Sequence, residues 1–381
     1  MERTITTHGD GVKITVVITA RPSYARVQTA LTALRSYKVD VSIVCVASAL
    51  LPKYGEVSKQ ILADGWPITW TSYSQIDGDH GAAMARTMGL TTLDLATLFQ
   101  QTRPDCVMTI ADRHETLATA VAASYQDVPL VHIQGGECTG SIDNKVRNAV
   151  TALADLHLVS TQDALQRLSR QAVGHIVVTG CPSIDLALAV DDQPLTSLPG
   201  TGAAIDLEAG FLLVLQHPDT ETADQATFQI AQTQAAIDAV GIPAVWFWPN
   251  SDSGSDAVSK QLRIWSPRVP VHFCRQVPPQ DFIRLMRQCA VMVGNSSAGI
   301  REGSALGVPV VNIGDRQQGR TRGSNVIDVG YHADQIYKGI QRWRMGTRIK
   351  PERSTIYGDG KAGPRIAEAL LAWWQQIKKA A

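Results

Sequence analysis

The chain has 381 residues, of which 44% are hydrophobic and 18% are charged, so it can fill two hydrophobic cores without disulfides or metals. Its 35 basic residues balance 35 acidic ones, which argues against a general attraction to nucleic acid or to an anionic membrane. The six cysteines lack C-x-x-C spacing, no apolar run approaches the roughly 20 residues that span a bilayer, and the N-terminus is polar rather than signal-like. We therefore expect a soluble cytoplasmic protein without a membrane partner.

Short β-rich runs alternate with longer amphipathic segments along the whole chain, which predicts an α/β fold of parallel sheets covered by helices on both faces. In the first half, strands are predicted over Lys13–Thr19, Asp40–Val46, Ile68–Ser72, Asp105–Ile110, Leu130–Ile133, Leu156–Ser160 and His175–Thr179. In the second half, they are predicted over Phe211–Gln216, Ala244–Pro249, Val269–His272, Val291–Gly294 and Val308–Ile313. The second half therefore predicts a second unit of the same kind.

The segment from residue 190 to 210 is rich in Pro, Gly, Ser and Asp and has little periodicity, as is typical of a connection. We predict an N-terminal domain over residues 12–190, a C-terminal domain over 205–363 and a final amphipathic helix over 364–381. Open α/β sheets bind ligands beyond the carboxyl ends of their strands. Two such domains facing each other therefore predict a cleft lined by strand-to-helix turns.

Polar side chains follow the first and fourth predicted strands. Arg21 follows the first strand, in a turn that lacks the glycines of a dinucleotide fingerprint, so NAD is disfavoured. Asp112 and Arg113 follow the fourth strand. Asp112 could cap the next helix, but capping would explain one of the four polar residues in this turn. We expect these turns to face the cleft.

The fifth predicted strand ends in a turn that contains Gln134, a Gly-Gly pair and Glu137. Asp143 follows, and then a helix that contains Arg147, a candidate substrate-binding residue. Paired glycines let a backbone approach a ligand or turn sharply. Two carboxylates in one partly buried cleft raise the pKa of one of them and so form an acid/base pair. The alternative is that Asp143 caps the helix and Glu137 is solvated.

In the second half, small residues follow a buried strand and begin a helix. A helix N-terminus of this kind binds anions through its free backbone N–H groups. The residues concerned are Ser296, Ser297 and Gly299. Glu302, one turn further, could accept hydrogen bonds from ribose hydroxyls, and Arg316 after the next strand could neutralise a phosphate. Together they indicate a nucleoside diphosphate site, with a Ser/Gly-rich structural turn as the alternative.

His217 follows the first strand of the second unit and could hydrogen-bond a diphosphate or move a proton. A single His more often has only a structural partner. The sequence contains no H-x-x-H or H-E-x-x-H pattern that would indicate a metal, and no G-x-x-x-x-G-K-[ST] phosphate loop. We therefore expect neither a metal nor a cofactor.

Four motifs, in order along the chain, resemble those of the UDP-N-acetylglucosamine 2-epimerases, most closely the hydrolysing kind. They are Thr19-Ala20-Arg21-Pro22, Ala111-Asp112-Arg113, the run from His132 to Asp143, and the run from Ser296 to Glu302 with Gly314-Asp315-Arg316. The resemblance implies two Rossmann-like domains in the glycosyltransferase-B (GT-B) architecture, UDP in the cleft, a C-terminal helix that packs back on the first domain, and a homodimer. It assigns UDP binding to Arg21, Arg113, His217, Ser296, Ser297, Glu302 and Arg316, and proton transfer to Asp112, Asp143 and the position of Gln134.

The resemblance also implies the reaction, in which the C2 proton and UDP leave the sugar by anti elimination to a 2-acetamidoglucal. Water then adds to give the free 2-epimer, such as N-acetylmannosamine for surface-glycan synthesis. Gln134 departs from the family motif, which has a glutamate there, and an amide is not a base at neutral pH. Asp112, Asp143 or Glu137 must then move the proton. A GT-B glycosyltransferase and a nucleotide-sugar-binding protein without turnover are the alternatives.

Overall fold

The computed structural model describes residues 11–78, 80–171, 174–249, 252–345 and 351–380. Within them, the first half of the chain forms a parallel sheet of seven strands in the order β3-β2-β1-β4-β5-β6-β7. The strands are β1 (Lys13–Ile18), β2 (Asp40–Val46), β3 (Ile68–Ser72), β4 (Cys106–Ile110), β5 (Leu130–Ile133), β6 (Leu156–Val159) and β7 (His175–Val178). The order reverses at β1 and β4, so the crevice beyond their carboxyl ends is where this fold binds ligands.

Helices cover both faces of this sheet, because alternate residues of each strand point to opposite sides. Val16 and Ile18 of β1 belong to one core cluster, and Val17 between them belongs to the other. The helices are α1 (Arg21–Ala25), α2 (Gln28–Ser36), α3 (Val57–Ala63), α4 (Gly81–Thr102), α5 (His114–Ser124), α6 (Ile142–Leu153), α7 (Gln162–Ser169) and α8 (Pro182–Ala189). Short 3₁₀ helices lie at Ala47–Leu50 and Pro52–Tyr54.

The second half forms its own sheet, with seven strands in the described residues in the order β14-β13-β12-β9-β10-β11-β8. The strands are β8 (Thr201–Gly202), β9 (Leu212–Leu215), β10 (Ala244–Phe247), β11 (Val271–Cys274), β12 (Val291–Gly294), β13 (Val310–Ile313) and β14 (Val326–Val329). The helices are α9 (Ala226–Val240), α10 (Ser255–Ile264), α11 (Pro279–Gln288), α12 (Ser297–Ile300), α13 (Glu302–Leu306) and α14 (Ala333–Met345), with a 3₁₀ helix at Thr220–Gln225. β8 runs antiparallel to β11, and the other strands are parallel.

The last helix, α15 (Ala362–Ala380), returns to the first domain. Ile366 and Leu370 on this helix lie in the same core cluster as β1 and α2. Its first backbone N–H groups, at Ala362 and Gly363, donate to the two carboxylate oxygens of Asp185 at 2.9 and 2.7 Å, so a side chain of α8 caps it. The predicted packing of this helix on the first domain is confirmed.

The chain passes between the two sheets twice, once after β7 and once before α15. The two passages touch where Cys181 N–H donates to the carbonyl oxygen of Tyr357 at 2.8 Å. Beside this bond, Gly180 and Gly358 have φ values of 87° and 127°, and a Cβ on Gly180 would lie 3.3 Å from Cα of Gly358. Glycine at both positions lets the two backbones approach closely.

The predicted α/β class is confirmed, and each of the twelve predicted strands overlaps an observed one. β11 begins at Val271, two residues later than predicted, immediately after Pro270, which has no N–H to contribute to a ladder. Two edge strands were not predicted. β8 consists of two exposed residues, and three of the four residues of β14 are part-buried. The limits 12–190 and 205–363 stay predictions for the domains. Among the described helices, none is long and apolar enough to cross a membrane.

Two buried histidines predict that the first domain loses stability in mild acid. His132 and His157 are register partners on β5 and β6, and neither is exposed to solvent. Burial lowers the pKa of each to about 4, whereas an unfolded His has a pKa of about 6.5. As the pH falls, the unfolded state therefore binds protons at a higher pH than the folded state. Stability that is present above pH 6.5 is lost as the pH falls toward 4.

We predict that His157→Leu removes about 2 kcal/mol of the acid-induced destabilisation at pH 5, since that is the cost of one such pKa difference. The measurement is the free energy of unfolding in urea at pH 7.5 and pH 5.0. His175→Leu, at an exposed position on β7, is the control. An equal loss of stability on acidification in the wild type and in His157→Leu would contradict the prediction.

Candidate active site at the domain junction

The turn after β5 in the first domain contacts the turn after β13 in the second. Gly140 N–H donates to the carbonyl oxygen of Arg316 at 3.2 Å, and a Cβ on Gly140 would lie 2.1 Å from the carbonyl oxygen of Asp315. Ala111 and Gln134, each directly after a strand, have φ values of 67° and 66°. Such backbone conformations in non-glycine residues cluster at functional sites. The strand ends of the two domains therefore meet, as the sequence predicts for a cleft.

Asp143 lies in the first turn of α6, and its side chain keeps 27% of its exposure. Its pKa is raised to about 6 by burial and by the negative charges of Asp112 and Asp252, although Arg316 and Arg113 oppose this rise. The nearest of these cations is the Nη2 atom of Arg316, 4.0 Å from the carboxylate. A carboxylate with this pKa is ionised at neutral pH and still basic enough to accept a proton. The α6 N-cap is Ser141, so Asp143 does not cap the helix.

Asp112 has the opposite electrostatic environment. Burial would raise its pKa, but Arg147, Arg26 and Arg320 outweigh burial and hold the pKa well below its usual range. The Nη2 atom of Arg147 donates directly to the Asp112 carboxylate. No side-chain cap bond is formed at the start of α5, so the capping alternative for Asp112 does not hold. Asp112 is therefore a permanently charged neighbour of Asp143.

Two arginines, one from each domain, meet at one carboxylate. Arg113 Nη1 lies 3.5 Å from Asp252 Oδ1, and Arg316 Nη2 lies 3.0 Å from Asp252 Oδ2. Arg113 also pairs with Glu115 of α5 at 3.2 Å. Arg316 donates to the carbonyl oxygen of Asn295 at 3.3 Å. These contacts place two guanidinium groups on opposite sides of the junction, around an anionic group.

Arg21 and Arg26 lie in and just after α1, beside the same junction. Arg26 Nη2 donates to Ser297 Oγ at 3.4 Å, which joins the first domain to α12 of the second. Burial lowers the pKa of both arginines. In the described ranges, neither guanidinium forms an ion pair with a carboxylate. Two part-buried cations without an ion-paired carboxylate among the described residues favour an anionic ligand.

The Ser/Gly stretch after β12 forms a short helix that is interrupted after one turn. Ser296 is the N-cap of α12 and accepts from Ala298 N–H at 3.4 Å, and Arg301 separates α12 from α13. Gly299 packs against β13, since a Cβ there would lie 3.0 Å from a methyl group of Val310. Glu302 Oε2 is buried and has no hydrogen-bond partner among the described residues. It is therefore available to accept a hydrogen bond from a ligand hydroxyl.

His217 follows β9, and its main chain is held by two hydrogen bonds of 2.8 Å with the side chain of Asn295. Burial lowers the pKa of its ring to about 3, and Arg316, Arg21 and Arg113 contribute to this shift. The imidazole is therefore neutral at pH 7. A neutral ring can donate a hydrogen bond from its N–H to a phosphate oxygen. It is not an acid at neutral pH, so it does not protonate a leaving group.

The other two predicted proton-transfer residues are enclosed. Glu137 is 5% exposed, and its Oε2 accepts from Arg301 Nη2 at 2.6 Å and from Arg320. Its pKa is held at about 2, because Arg301, Arg320 and Arg147 together outweigh the effect of burial. Gln134 is 1% exposed, and its Nε2 donates to Cys181 Sγ at 2.9 Å.

Sequence reasoning missed four residues of this junction: Arg26, Asp252, Arg301 and Arg320. Arg301 lies inside one of the motifs that carry the resemblance, and Arg320 follows Arg316 by four residues. Their positions in the sequence could therefore have identified both as candidates. Arg26 and Asp252 carry no local signal, because the fold alone brings them to the cleft. In the described part of the chain, no cluster of three or more His, Cys, Asp or Glu could hold a metal ion.

Two doubly wound domains with their strand ends facing across a cleft, and a last helix that returns to the first domain, define a protein of the GT-B architecture. A family model described as UDP-N-acetylglucosamine 2-epimerase matches residues 32–371. The chain therefore belongs to the UDP-N-acetylglucosamine 2-epimerase family.

Sequence relatives support this assignment, and a solved structure shares the fold. The chain is 30% identical to a UDP-N,N'-diacetylbacillosamine 2-epimerase (hydrolyzing) of Legionella pneumophila, over 94% of this chain and 95% of the relative. It is 27% identical to a UDP-N-acetylglucosamine 2-epimerase of Neisseria meningitidis, over 87% of both chains. A crystal structure of UDP-GlcNAc 2-epimerase from Neisseria meningitidis bound to UDP-GlcNAc has the same fold, with a TM-score of 0.75, 17% identity and coverage of 95% of this chain and 100% of that one.

We predict that Arg316→Ala weakens UDP binding by roughly 10- to 100-fold, because a charge-assisted hydrogen bond to a phosphate contributes about 1.5–3 kcal/mol. Isothermal titration with UDP measures the effect. Arg284→Ala is the matched control, since Arg284 lies on α11 and pairs with Asp191 and Asp281 instead. Unchanged UDP affinity in Arg316→Ala would remove this residue from the proposed phosphate site.

Proposed function

We propose that the protein is a hydrolysing 2-epimerase, which converts a UDP-activated 2-acetamido sugar into UDP and the free 2-epimer. The names of the two relatives above supply the candidate substrates, UDP-N-acetylglucosamine and UDP-N,N'-diacetylbacillosamine. The observation that carries the proposal is the partly exposed Asp143 carboxylate, whose pKa is raised to about 6 beside an arginine-rich cleft. A homodimer in the cytoplasm, with the product used for surface glycans, completes the proposal.

The diphosphate would bind between the arginines of the two domains. Arg21 and Arg26 form no ion pair within the described ranges, and Arg113 and Arg316 already surround an anionic group, Asp252. Neutral His217 would donate an N–H to a phosphate oxygen, and Ser296 and Ser297 would offer their hydroxyls. Glu302 would accept from the ribose through its buried, unpartnered oxygen. Positive charge around the leaving group stabilises the negative charge that develops on it.

The base is assigned to Asp143 by comparison with its neighbours. Asp112 and Glu137 are held ionised by arginines and have pKa values too low to accept a proton well at neutral pH. Gln134 is an amide and does not titrate. Asp143 alone among these four combines exposure to the cleft with a raised pKa. Arg147 would position the site by holding Asp112.

In the proposed reaction, the Asp143 carboxylate removes the proton from C2 of the sugar. The electrons of the C2–H bond form the C1=C2 double bond of a 2-acetamidoglucal, and the C1–O bond breaks with its electron pair passing to UDP. Water then adds across the double bond, with its hydroxyl group on C1 and a proton on the opposite face of C2. The sum is one UDP-sugar and one water giving UDP and one free sugar of inverted C2 configuration.

We predict that incubation with either UDP-sugar in deuterium oxide releases UDP and a free sugar with one deuterium at C2, because the proton removed there is replaced from solvent. Mass spectrometry and proton NMR of the product measure this. Asp143→Asn is expected to slow the reaction by about 10²-fold or more, as is typical for loss of a general base. Asp163→Asn, at an exposed carboxylate on α7, is the matched control.

Three outcomes would overturn the proposal. UDP release with no deuterium at C2 would reject elimination. UDP release that depends on an added acceptor would instead indicate a glycosyltransferase. Tight UDP binding without product from either sugar would indicate a binding protein.

We predict that kcat/KM rises with pH through an apparent pKa near 6, since Asp143 must be ionised to act as a base. Asp112→Asn should move this acidic limb of the pH profile, the rise in kcat/KM, to lower pH. The reason is that the negative charge of Asp112 is one of the causes of the raised pKa of Asp143. Rate profiles from pH 4.5 to 8.5 for the wild type and for Asp112→Asn test this. Loss of the limb in Asp112→Asn would identify Asp112 as the base.

A further inference from the structure

Glu137 belongs to the first domain, but both guanidinium groups bound to its Oε2 come from the second. Arg301 lies between α12 and α13, and Arg320 follows the turn after β13. All three side chains are almost fully buried, with exposures of 5%, 1% and 5% for Glu137, Arg301 and Arg320. A buried carboxylate shared by two arginines is strongly attractive, and removal of one partner leaves uncompensated charge. The ion cluster therefore depends on contact between the domains.

The same turn is connected to the proposed acid/base pair through Arg147. Arg147 Nη1 donates to the backbone carbonyl of Glu137 at 2.9 Å, and Arg147 Nη2 donates to the carboxylate of Asp112. Arg147 is fully buried on α6, the helix that also carries Asp143. A displacement of the Glu137 turn therefore changes the position of Arg147, and with it the charge beside Asp143.

The backbone around this cluster interlocks closely. Gly140 touches the backbone of Asp315, as described above, and a Cβ on Gly319 would lie 3.1 Å from Cβ of Cys138. The segments 134–143 and 314–322, which carry Glu137 and Arg320, thus approach each other at two glycines. Contacts this close form only when the domains are together.

We infer that Glu137 is a positioning residue that holds the two domains closed, and that this closure sets the geometry of Asp112 and Asp143. Without its charge, Arg301 and Arg320 of the second domain lose the first-domain carboxylate that binds them, and the repulsion of Arg320 by Arg147 of the first domain remains. Burial already lowers the pKa of Arg320 to about 10, assisted by Arg301 and Arg147, in spite of Glu137. Glu137 is thus the counter-charge that allows these cations to be buried at one interface.

The test is Glu137→Gln, which keeps the size of the side chain and removes its charge. Without ligand, we expect a larger radius of gyration by small-angle X-ray scattering and faster amide hydrogen exchange across residues 134–143, which include the Gly140 amide. UDP, added as the probe, should reverse part of both changes. Turnover of a UDP-sugar should fall by about tenfold or more. The rise of kcat/KM with pH should persist, because Asp143 is still present as the base, although opening of the junction alters the burial and the nearby charges that set its pKa.

The double variant Glu137→Gln with Arg320→Gln removes one negative and one positive charge, so the net charge of the cluster is kept. We expect it to be more closed and more active than Glu137→Gln alone, a coupling that independent sites do not show. Glu137→Asp keeps the charge on a shorter side chain and should recover part of the closure, and it replaces Glu137→Gln if that variant does not fold. Asp163→Asn is the control, since it retains an exposed hydrogen bond from Thr321 across the same junction.

Unchanged scattering and unchanged exchange in Glu137→Gln would overturn the inference, whatever happens to turnover. A lost or shifted pH limb with the domains still closed would also overturn it, because Glu137 would then be the proton carrier. The kinetic readout rests on the proposed function. Scattering and exchange with UDP do not, so a protein without epimerase activity would still give a clear result on closure.

Discussion

The structure depends on arginines that are buried or part-buried where two sheets face each other. Three of them are buried, namely Arg147, Arg301 and Arg320, and four are part-buried, namely Arg21, Arg26, Arg113 and Arg316. Burial of an unpaired guanidinium is costly, so each must find a carboxylate, a carbonyl or an anionic ligand. The chain has no net charge, and the field that favours an anion is therefore local to this junction. The need to balance these cations links domain contact to ligand binding.

The same arginines give three neighbouring carboxylates different properties. Asp112 and Glu137 each accept directly from a guanidinium, and their pKa values fall although both are buried. Asp143 lies 4.0 Å from its nearest arginine and beside the charge of Asp112, and its pKa rises. One residue type thus provides two fixed charges and one titratable group, because the distance to the cations differs.

The sequence predicted the sheets well because buried parallel strands are continuous apolar runs with polar turns at their ends, as at β9 and β12. It failed at β8 and β14, where an edge strand buries little surface and so needs no apolar pattern. The candidate site was predicted where a motif follows a strand closely, as for Asp112 after β4 and Arg316 after β13.

What the sequence did not predict is the pairing of charges. Whether Glu137 meets solvent or two arginines is decided by the second domain, more than 160 residues further along the chain. The assignment of the base followed from these contacts, because residue type alone does not separate Asp112 from Asp143. Gly299 shows the converse case, since a residue inside a ligand-like motif packs against Val310 of the sheet.

The return of α15 to the first domain has a mechanical consequence. Two peptide segments join the halves of the molecule, and they are bonded to each other at Cys181 and Tyr357, beside Gly180 and Gly358. Two adjacent connections that are bonded to each other restrict sliding and twisting of one half over the other more than a single connection would, which helps to keep the facing side chains in register.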